Sequence, residues 1–215
     1  MSALSEAQVA EAGLTDWRLL QGALQTRYRT GGFAAGLALV NAIGEVAEEM
    51  DHHPDLDLRW GHLNVRLWSH DVRGVTGRDV RLARRTSELA AAAGVRATPE
   101  ALSVVEVALD TPDPSAVRPF WAALLGIDPS PGDGDLRDDD SDLPSLWFQR
   151  SGAEEPRQRF HLDVTVPVDQ AEARIAAVLE SGGRIVSDEH APSYVVLEDV
   201  EGNRACVCTA AEPAG

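Results

Sequence analysis

The chain has 215 residues, enough for one large domain or for two of about a hundred residues each. Hydrophobic residues make up 44% and charged residues 25%, as in ordinary soluble globular proteins, and no apolar run approaches the roughly 20 residues of a membrane helix. Every basic residue is arginine, and the absence of lysine excludes both a Schiff-base mechanism and a phosphate loop that carries lysine.

The charge is divided unevenly along the chain. Residues 1–97 carry 11 basic and 12 acidic side chains, a net charge of −1, whereas residues 98–215 carry 8 and 23, a net charge of −15. This asymmetry indicates two domains, at residues 1–97 and 103–211, with residues 94–102 (GVRATPEAL) as the linker. Neither half offers the basic surface that neutralises phosphate, so nucleic acid is not expected as a partner.

The first residues, MSALSEAQVAEAGLTDW, lack the basic start and the apolar stretch of a secretory signal. The two cysteines, Cys206 and Cys208, lie two apart in a predicted strand, where they are not expected to bond to each other. These features predict a protein of the reducing cytoplasm that binds no membrane.

The residue patterns of the first half predict helices and strands in the order α-β-β-α-β-β-α. An apolar stripe at helical spacing marks the long central helix: Phe33, Leu37, Val40, Ala47 and Met50. Pro54 disfavours helix just beyond it, and Thr76 with Asp79 starts the last helix, which Gly94 can end. The predicted ranges are helices at residues 5–12, 33–50 and 77–93, and strands at 17–20, 24–30 and, as a pair, within 57–69.

The last pair of strands alternates between two faces. Leu63, Val65 and Leu67 point to one side and are expected to pack on the helices. The other side is polar and aromatic: His62, Asn64, Arg66, Trp68 and His70. This polar face is predicted to point away from the core.

The second half carries a strand–helix–strands pattern twice, which predicts an internal repeat within an α+β protein. The first copy has a strand at 103–109, a helix at 115–125 closed by Gly126, and a strand at 146–149. The second has a strand at 160–166, a helix at 169–179 closed by Gly182 and Gly183, and short strands ending at 204–209, with 199–203 as a hairpin connection. The acidic segment 129–144, with Asp138, Asp139 and Asp140, lacks EF-hand spacing and is predicted to be a solvated loop.

Four of the six histidines fall within 19 residues: His52, His53, His62 and His70. A single histidine in such a loop usually does no more than face solvent, but here Glu48 precedes the cluster by about one helical turn. Imidazole, with an ordinary pKa near 6.5, can donate or accept a proton at neutral pH. A zinc site is the alternative, and the lack of a nearby cysteine disfavours it.

The spacing around these histidines resembles the signature of pterin-4a-carbinolamine dehydratases. The matching elements are an acidic residue four before His-His-Pro, an aromatic residue six after the proline, a Ser-His pair, and Gly-x-Thr-x-x-Asp: Glu48, His52 to Pro54, Trp60, Ser69-His70 and Gly74 to Asp79. The resemblance covers residues 4–93. It implies a four-stranded antiparallel sheet with helices on one face. The implied reaction is dehydration of a small-molecule pterin, a 4a-hydroxytetrahydropterin, without a cofactor. The resemblance also implies association into homodimers or larger homo-oligomers.

The resemblance also implies roles for individual residues. The expected catalytic residues are His52, His53 and His70, with His52 and His70 as the acid/base candidates and His53 as a positioning group. The expected substrate-binding residues are Glu48, Asp51, Trp60 and Asp79. Helix capping alone is the alternative for Asp79, His62 lies outside the signature, and no metal ligand is expected.

The chain departs from the family pattern at three positions, Leu56, Trp60 and Val75. Family members commonly have an aromatic residue, a tyrosine and a leucine there. None of the three replaces a catalytic group.

The second half resembles the glyoxalase/bleomycin-resistance/dioxygenase superfamily, the vicinal oxygen chelate fold, over residues 103–210. The resemblance rests on short segments: 107–113, Phe120-Trp121, 124–126, 161–163 and 201–203. Metal-using members carry ligands on the first and last strands of each half, where the candidates here are Glu106, His161 and Cys206. The end of the first half, at 147–149, has no carboxylate or histidine, and the ligand set is expected to be incomplete.

Three roles stay open for the second domain: metal catalysis, binding of a small molecule without metal, and a structural or oligomerising role. For the whole chain, the leading hypothesis is a pterin dehydratase. The alternatives are a metal-dependent lyase or dioxygenase acting through the second domain, and a non-catalytic, dimerising binding protein.

Overall fold

The computed structural model describes residues 2–125, 127, 134–137, 143–152, 160–180, 182–198 and 204–212. The chain divides into two compact units, Met1–Ser103 and Val104–Gly215. Gly126, the three aspartates at 138–140 and the proposed hairpin connection at 199–203 lie outside the described residues. In the described part of the chain, no helix has the length and apolar character needed to cross a bilayer.

The first unit is an antiparallel sheet with helices packed on it. Its elements are α1 (Glu6–Glu11), β1 (Arg18–Leu20), β2 (Ala23–Arg29), α2 (Phe33–Met50), β3 (Asp55–Arg59), β4 (His62–Leu67), α3 (Gly77–Ala92) and β5 (Arg96–Ala97). The strands run in the order β1-β2-β4-β3, and the short β5 also pairs with β2. This arrangement confirms the predicted fold class and the order of the first seven elements, and β5 adds a fifth strand to the four that were expected.

The core of the first unit follows from the alternation in β4. Leu63, Val65 and Leu67 are fully buried, in one apolar cluster with Ile43 of α2 and Leu82 of α3. Because successive strand residues point to opposite faces, His62, Asn64 and Arg66 take the other side of the sheet. The predicted division of this strand into two faces is confirmed.

Residues 94–102, expected to be a linker, belong to the first unit. Gly94 ends α3 with a φ of +68°, a conformation that glycine adopts at little cost, and β5 follows at once. The backbone N–H of Thr98 donates to the carbonyl of Arg27 (2.7 Å), and Leu102 is buried. The segment is therefore the last part of the first unit and not a separate linker between two domains.

The second unit is a six-stranded mixed sheet. Its elements are β6 (Val104–Thr111), α4 (Pro114–Leu125), β7 (Leu146–Arg150), β8 (Phe160–Thr165), α5 (Ala171–Glu180), β9 (Arg184–Ser187), β10 (Tyr194–Glu198) and β11 (Arg204–Cys208). The order is β7-β6-β8-β11-β10-β9, in which β6 and β8 pair antiparallel and begin the two repeated halves. Within each half the first strand pairs in parallel with a later one, β6 with β7 and β8 with β11.

The two faces of this second sheet differ in character. One face packs on the helices: Leu109 and Leu146 cluster with Val117 of α4, and Val207 clusters with Ile175 of α5. Alternate residues of the same strands point to the opposite face, which is polar: Glu106, Asp110, Trp147, His161, Asp163 and Cys206.

Candidate active site

His52 and Asp79 form a buried pair in the first unit. His52 directly follows the end of α2, where Asp51 takes a left-handed conformation (φ +47°) and the His52 N–H donates to the carbonyl of Ala47 (3.1 Å). Its Nε2 lies 2.7 Å from Oδ1 of Asp79 in the first turn of α3. His52 is 7% exposed and Asp79 is 0% exposed, so solvent hardly screens the interaction.

The second oxygen of Asp79 has its own set of donors. Oδ2 accepts hydrogen bonds from the Thr76 N–H (2.7 Å), the Thr76 Oγ1 (3.0 Å) and the Ser69 Oγ (2.8 Å). The Thr76 contacts complete the capping box of α3. Asp79 thus caps a helix with one oxygen and holds an imidazole with the other, so the capping and functional interpretations of this residue do not compete.

A single histidine in such a loop usually faces solvent, but His52 is buried. Its position between a helix end and Pro54 gives no local reason for burial. The carboxylate of Asp79, 27 residues later in the chain, instead draws the imidazole into the protein. Removing His52 would leave one oxygen of a buried carboxylate without this partner, which makes the residue structural as well as a candidate catalyst.

His53 has a different environment from its neighbour. Its Nε2 lies 3.0 Å from Oε1 of Glu48, with the two side chains 56% and 80% exposed. An ion pair this open contributes little to stability, and the imidazole stays accessible to a ligand.

His70 lies in the turn after β4, next to Ser69. Its ring is 4.3 Å from the ring of Trp68, centroid to centroid, and the backbone N–H of Ser69 donates to the carbonyl of Gly74 (2.9 Å). A hydrogen bond from Arg78 holds the neighbouring Asp71 and lowers the pKa of its carboxyl. Through Ser69, the turn that carries His70 is joined to Asp79 and so to His52.

The remaining predicted residues are less closely connected. Trp60 lies in the turn between β3 and β4 and is 77% exposed, and Asp51 is exposed at the end of α2. Within the described residues, neither is hydrogen-bonded to a histidine of the cluster. His62 pairs with Arg29 and Arg59 in the sheet register, apart from the Asp79 network.

Ser69 and Thr76 bind Asp79 but were not predicted to belong to the site. Thr76 was interpreted only as a helix cap, and Ser69 only as part of the motif that contains His70. Their positions in the sequence could have indicated a site role, since Ser69 directly precedes His70 and Thr76 lies three residues before Asp79.

A second group of reactive side chains lies on the polar face of the second sheet. His161, Asp163 and Cys206 each place one donor atom within 4.8 Å of the others. Contact with the Cys208 thiol, burial and the nearby Asp163 raise the pKa of the Cys206 thiol. Glu106, the candidate ligand on the first strand, instead accepts a hydrogen bond from Ser145 (2.8 Å).

Comparison with known proteins separates the two units. Residues 2–89 match the family model described as pterin 4 alpha carbinolamine dehydratase, and residues 106–208 match that of a glyoxalase-like domain. A protein of Nocardia farcinica (strain IFM 10152), provisionally named a pterin-4-alpha-carbinolamine dehydratase, is 40% identical over 89 residues, which cover 40% of this chain and 94% of that protein. A protein of Chloroflexus aurantiacus (strain ATCC 29366 / DSM 635 / J-10-fl) with the same provisional name is 36% identical over 91 residues, covering 41% of this chain and 98% of that protein.

Two solved structures are similar to parts of the chain. A transcriptional coactivator/pterin dehydratase from Brucella melitensis is 26% identical and covers 41% of this chain and 99% of its own, with a TM-score of 0.40. A glyoxalase/bleomycin resistance protein/dioxygenase superfamily member from Vibrio splendidus 12B01 is 12% identical and covers 50% and 99%, with a TM-score of 0.35.

Proposed function

Since the chain belongs to the pterin 4 alpha carbinolamine dehydratase family, we propose that its first unit dehydrates a 4a-hydroxytetrahydropterin to the quinonoid dihydropterin. The observation that supports this most directly is the buried His52–Asp79 pair, joined through Ser69 to the turn that carries His70. The arrangement offers one imidazole in a fixed orientation and a second one that is open to solvent.

The reaction needs two proton transfers and no electron transfer. The hydroxyl on C4a leaves as water after gaining a proton, the N5 proton is removed, and the electrons of the N–H bond form the C4a=N5 double bond. Two groups that exchange protons near neutral pH suffice for this chemistry, so the proposed reaction requires no redox cofactor or metal.

His52 and His70 would divide these two transfers. A hydrogen bond from His52 Nε2–H to Asp79 leaves Nδ1 as the ring nitrogen that can accept a proton, which suits His52 to act as the base. This use of a carboxylate to select the tautomer of a histidine is common among acid/base catalysts. His70, exposed and tilted against the ring of Trp68, would supply the proton to the departing hydroxyl.

The exposed residues around the cluster would bind the pterin. We assign His53 and Glu48 to polar contacts with the substrate, Asp51 to the rim of the site, and the open indole of Trp60 to the ring system. Aromatic side chains commonly pack on flat heterocycles, and exposure of the indole leaves its face free for this.

We also propose that copies of the chain associate. Phe33 and Leu37 of α2 are 51% and 45% exposed. They are one helical turn apart, so they form one exposed apolar patch, which fits contact with a second copy. Sedimentation of the full chain tests this, with a monomer at all concentrations as the contrary result.

The test of the function is a dehydratase assay on the full chain. Acceleration of 4a-hydroxytetrahydropterin dehydration over the spontaneous rate supports the enzyme. Its absence favours the alternative in which the first unit only binds and dimerises.

A further inference from the structure

Three donors of different chemistry meet on neighbouring strands of the second sheet. Strands β8 and β11 pair in parallel, with Asp163 opposite Cys206 in the register. His161 stands two residues before Asp163, so its side chain points to the same face. Because they share this face, Asp163 and Cys206, 43 positions apart in the chain, place their donor atoms within 4.8 Å of each other and of His161.

The distances suit a small metal ion. His161 Nε2 and Asp163 Oδ1 lie 3.5 Å apart. Two ligands bound at about 2.0–2.1 Å to a tetrahedral ion stand about 3.3–3.4 Å from each other. This pair therefore needs almost no rearrangement to chelate one ion, and Cys206 completes a set of three.

A second polar group lies behind each of these two ligands. On the far side of the imidazole, His161 Nδ1 faces Asp110 Oδ1 at 3.8 Å, and on the far side of the carboxylate, Asp163 Oδ2 accepts a hydrogen bond from Trp147 Nε1 (2.8 Å). A histidine that binds metal usually donates its other N–H to a carboxylate, and ligating carboxylates are likewise hydrogen-bonded. The buried Asp110 Oδ1 has no hydrogen bond within the described residues, so a slightly closer imidazole N–H would satisfy it.

We infer that His161, Asp163 and Cys206 bind one divalent transition metal ion of the zinc class. Nitrogen, oxygen and thiolate sulfur together favour zinc, or cobalt as its substitute, over magnesium or calcium, which prefer oxygen alone. Three protein ligands leave a coordination position for a small molecule, as in metal sites that act on a substrate.

This site differs from the arrangement expected by resemblance, in which both halves of the fold supply ligands. All three donors belong to the second half, while Glu106 of the first half is bound to Ser145. The sequence made the ligand set look incomplete because Asp163 was not recognised as a member. Only the pairing of β8 with β11 brings it beside Cys206.

Metal analysis of the full chain tests the inference. The protein is stripped with a chelator, dialysed, and titrated with Zn²⁺ or Co²⁺, and bound metal is measured by elemental analysis and by the absorption of Co²⁺. We expect one metal per chain, with the near-ultraviolet band of a cobalt–thiolate bond. His161→Ala, Asp163→Asn and Cys206→Ser should each weaken binding by more than about 100-fold, and Asp110→Asn by roughly 10- to 100-fold.

Two variants from the same unit serve as matched controls. His190 stacks on Tyr194 and Asp188 is exposed, both outside the group, so His190→Ala and Asp188→Asn should bind metal as the unaltered chain does. Circular dichroism of each stripped variant checks folding. If another variant fails to fold, Cys206→Ser alone is sufficient, because it should remove the cobalt–thiolate absorption band. No bound metal, metal that survives all three ligand substitutions, or a cobalt spectrum without a thiolate band would overturn the inference.

Discussion

His52 Nε2 lies 2.7 Å from Asp79 Oδ1, and this contact joins the C-terminal end of α2 to the first turn of α3. The same carboxylate caps α3 through its other oxygen. One buried side chain thus fixes a helix start and the orientation of a candidate catalytic ring. Stability and activity are therefore expected to be linked at Asp79.

The first prediction concerns the charge of Asp79. Asp79→Asn keeps the shape of the side chain but replaces one acceptor oxygen with an NH₂ group, so that His52 loses its carboxylate partner or its tautomer changes. We expect kcat/KM for dehydration to fall by about 10²-fold or more, within the range that acid/base groups contribute. Loss of buried hydrogen bonds should also lower the free energy of unfolding by about 1–3 kcal/mol.

Asp57→Asn provides the control for this substitution. Asp57 pairs with Arg59 on the sheet, outside the histidine cluster, so activity should be unchanged. Steady-state kinetics and urea unfolding of both variants make the comparison. Full activity in Asp79→Asn would mean that the carboxylate only caps the helix.

The second prediction concerns Ser69 as a positioning residue. Its hydroxyl donates to Asp79 (2.8 Å) and precedes His70, so Ser69→Ala should loosen the link between the two proposed catalytic histidines. We expect kcat to fall about tenfold with a smaller change in KM, a modest part of what acid/base groups contribute, and the pH profile of kcat to move. Ser69→Thr keeps the hydroxyl and should restore activity. A loss of stability with an unchanged pH profile would assign Ser69 a structural role only.

The third prediction concerns the limit of the first unit. A fragment of residues 1–103 should fold, whereas 1–97 should be less stable because it lacks the Thr98–Arg27 hydrogen bond and the buried Leu102. Burial of one leucine contributes about 1.5–3 kcal/mol. Thermal unfolding followed by circular dichroism compares the two. Equal stability would show that residues 98–103 add nothing to the unit, and failure of both fragments would show that the two units depend on each other.

The fourth prediction concerns alkaline pH. Burial raises the pKa of Tyr28 from 10.0 to about 12. The folded state therefore favours the neutral phenol, so the stabilisation is fully present below pH 10 and is lost as the pH rises through about 12. A shift of two units corresponds to about 2–3 kcal/mol in the free energy of unfolding.

Urea unfolding across this pH range measures the effect. Tyr28→Phe should show a weaker fall in stability toward high pH than the unaltered chain. The hydrogen bond to Ser87 that it removes at neutral pH is a long one (3.4 Å). Identical pH dependence in the two proteins would contradict the assignment of this loss to Tyr28.

Local patterns in the sequence predicted most of the fold. The alternation of Leu63, Val65 and Leu67 and the cap at Thr76 depend on neighbours close in the chain, and both are seen in the structure. The short strand β5 escaped prediction because two residues show no periodicity and their partner, β2, is about 70 residues away.

The candidate sites depend even more on contacts between residues that are distant in the chain. Spacing selected His52, His70 and Asp79, but not the burial of His52, which depends on a contact across 27 residues. Asp163 was missed as a candidate ligand because strand register decides which side chains meet, and register cannot be derived from a strand's own sequence.

The decisive measurement is the rate of 4a-hydroxytetrahydropterin dehydration, compared among the unaltered chain, His52→Ala, His70→Ala and His62→Ala. The unaltered chain should exceed the spontaneous rate, and the first two variants should each lose about 10²- to 10⁴-fold in rate. His62→Ala, on the same sheet but outside the Asp79 network, should stay fully active. His70→Ala should change stability by no more than about 0.5 kcal/mol, whereas His52→Ala should lose about 1–3 kcal/mol, so each is assayed where it is folded. No acceleration by the unaltered chain, or full activity in folded His52→Ala and His70→Ala, would show that these histidines do not catalyse the dehydration.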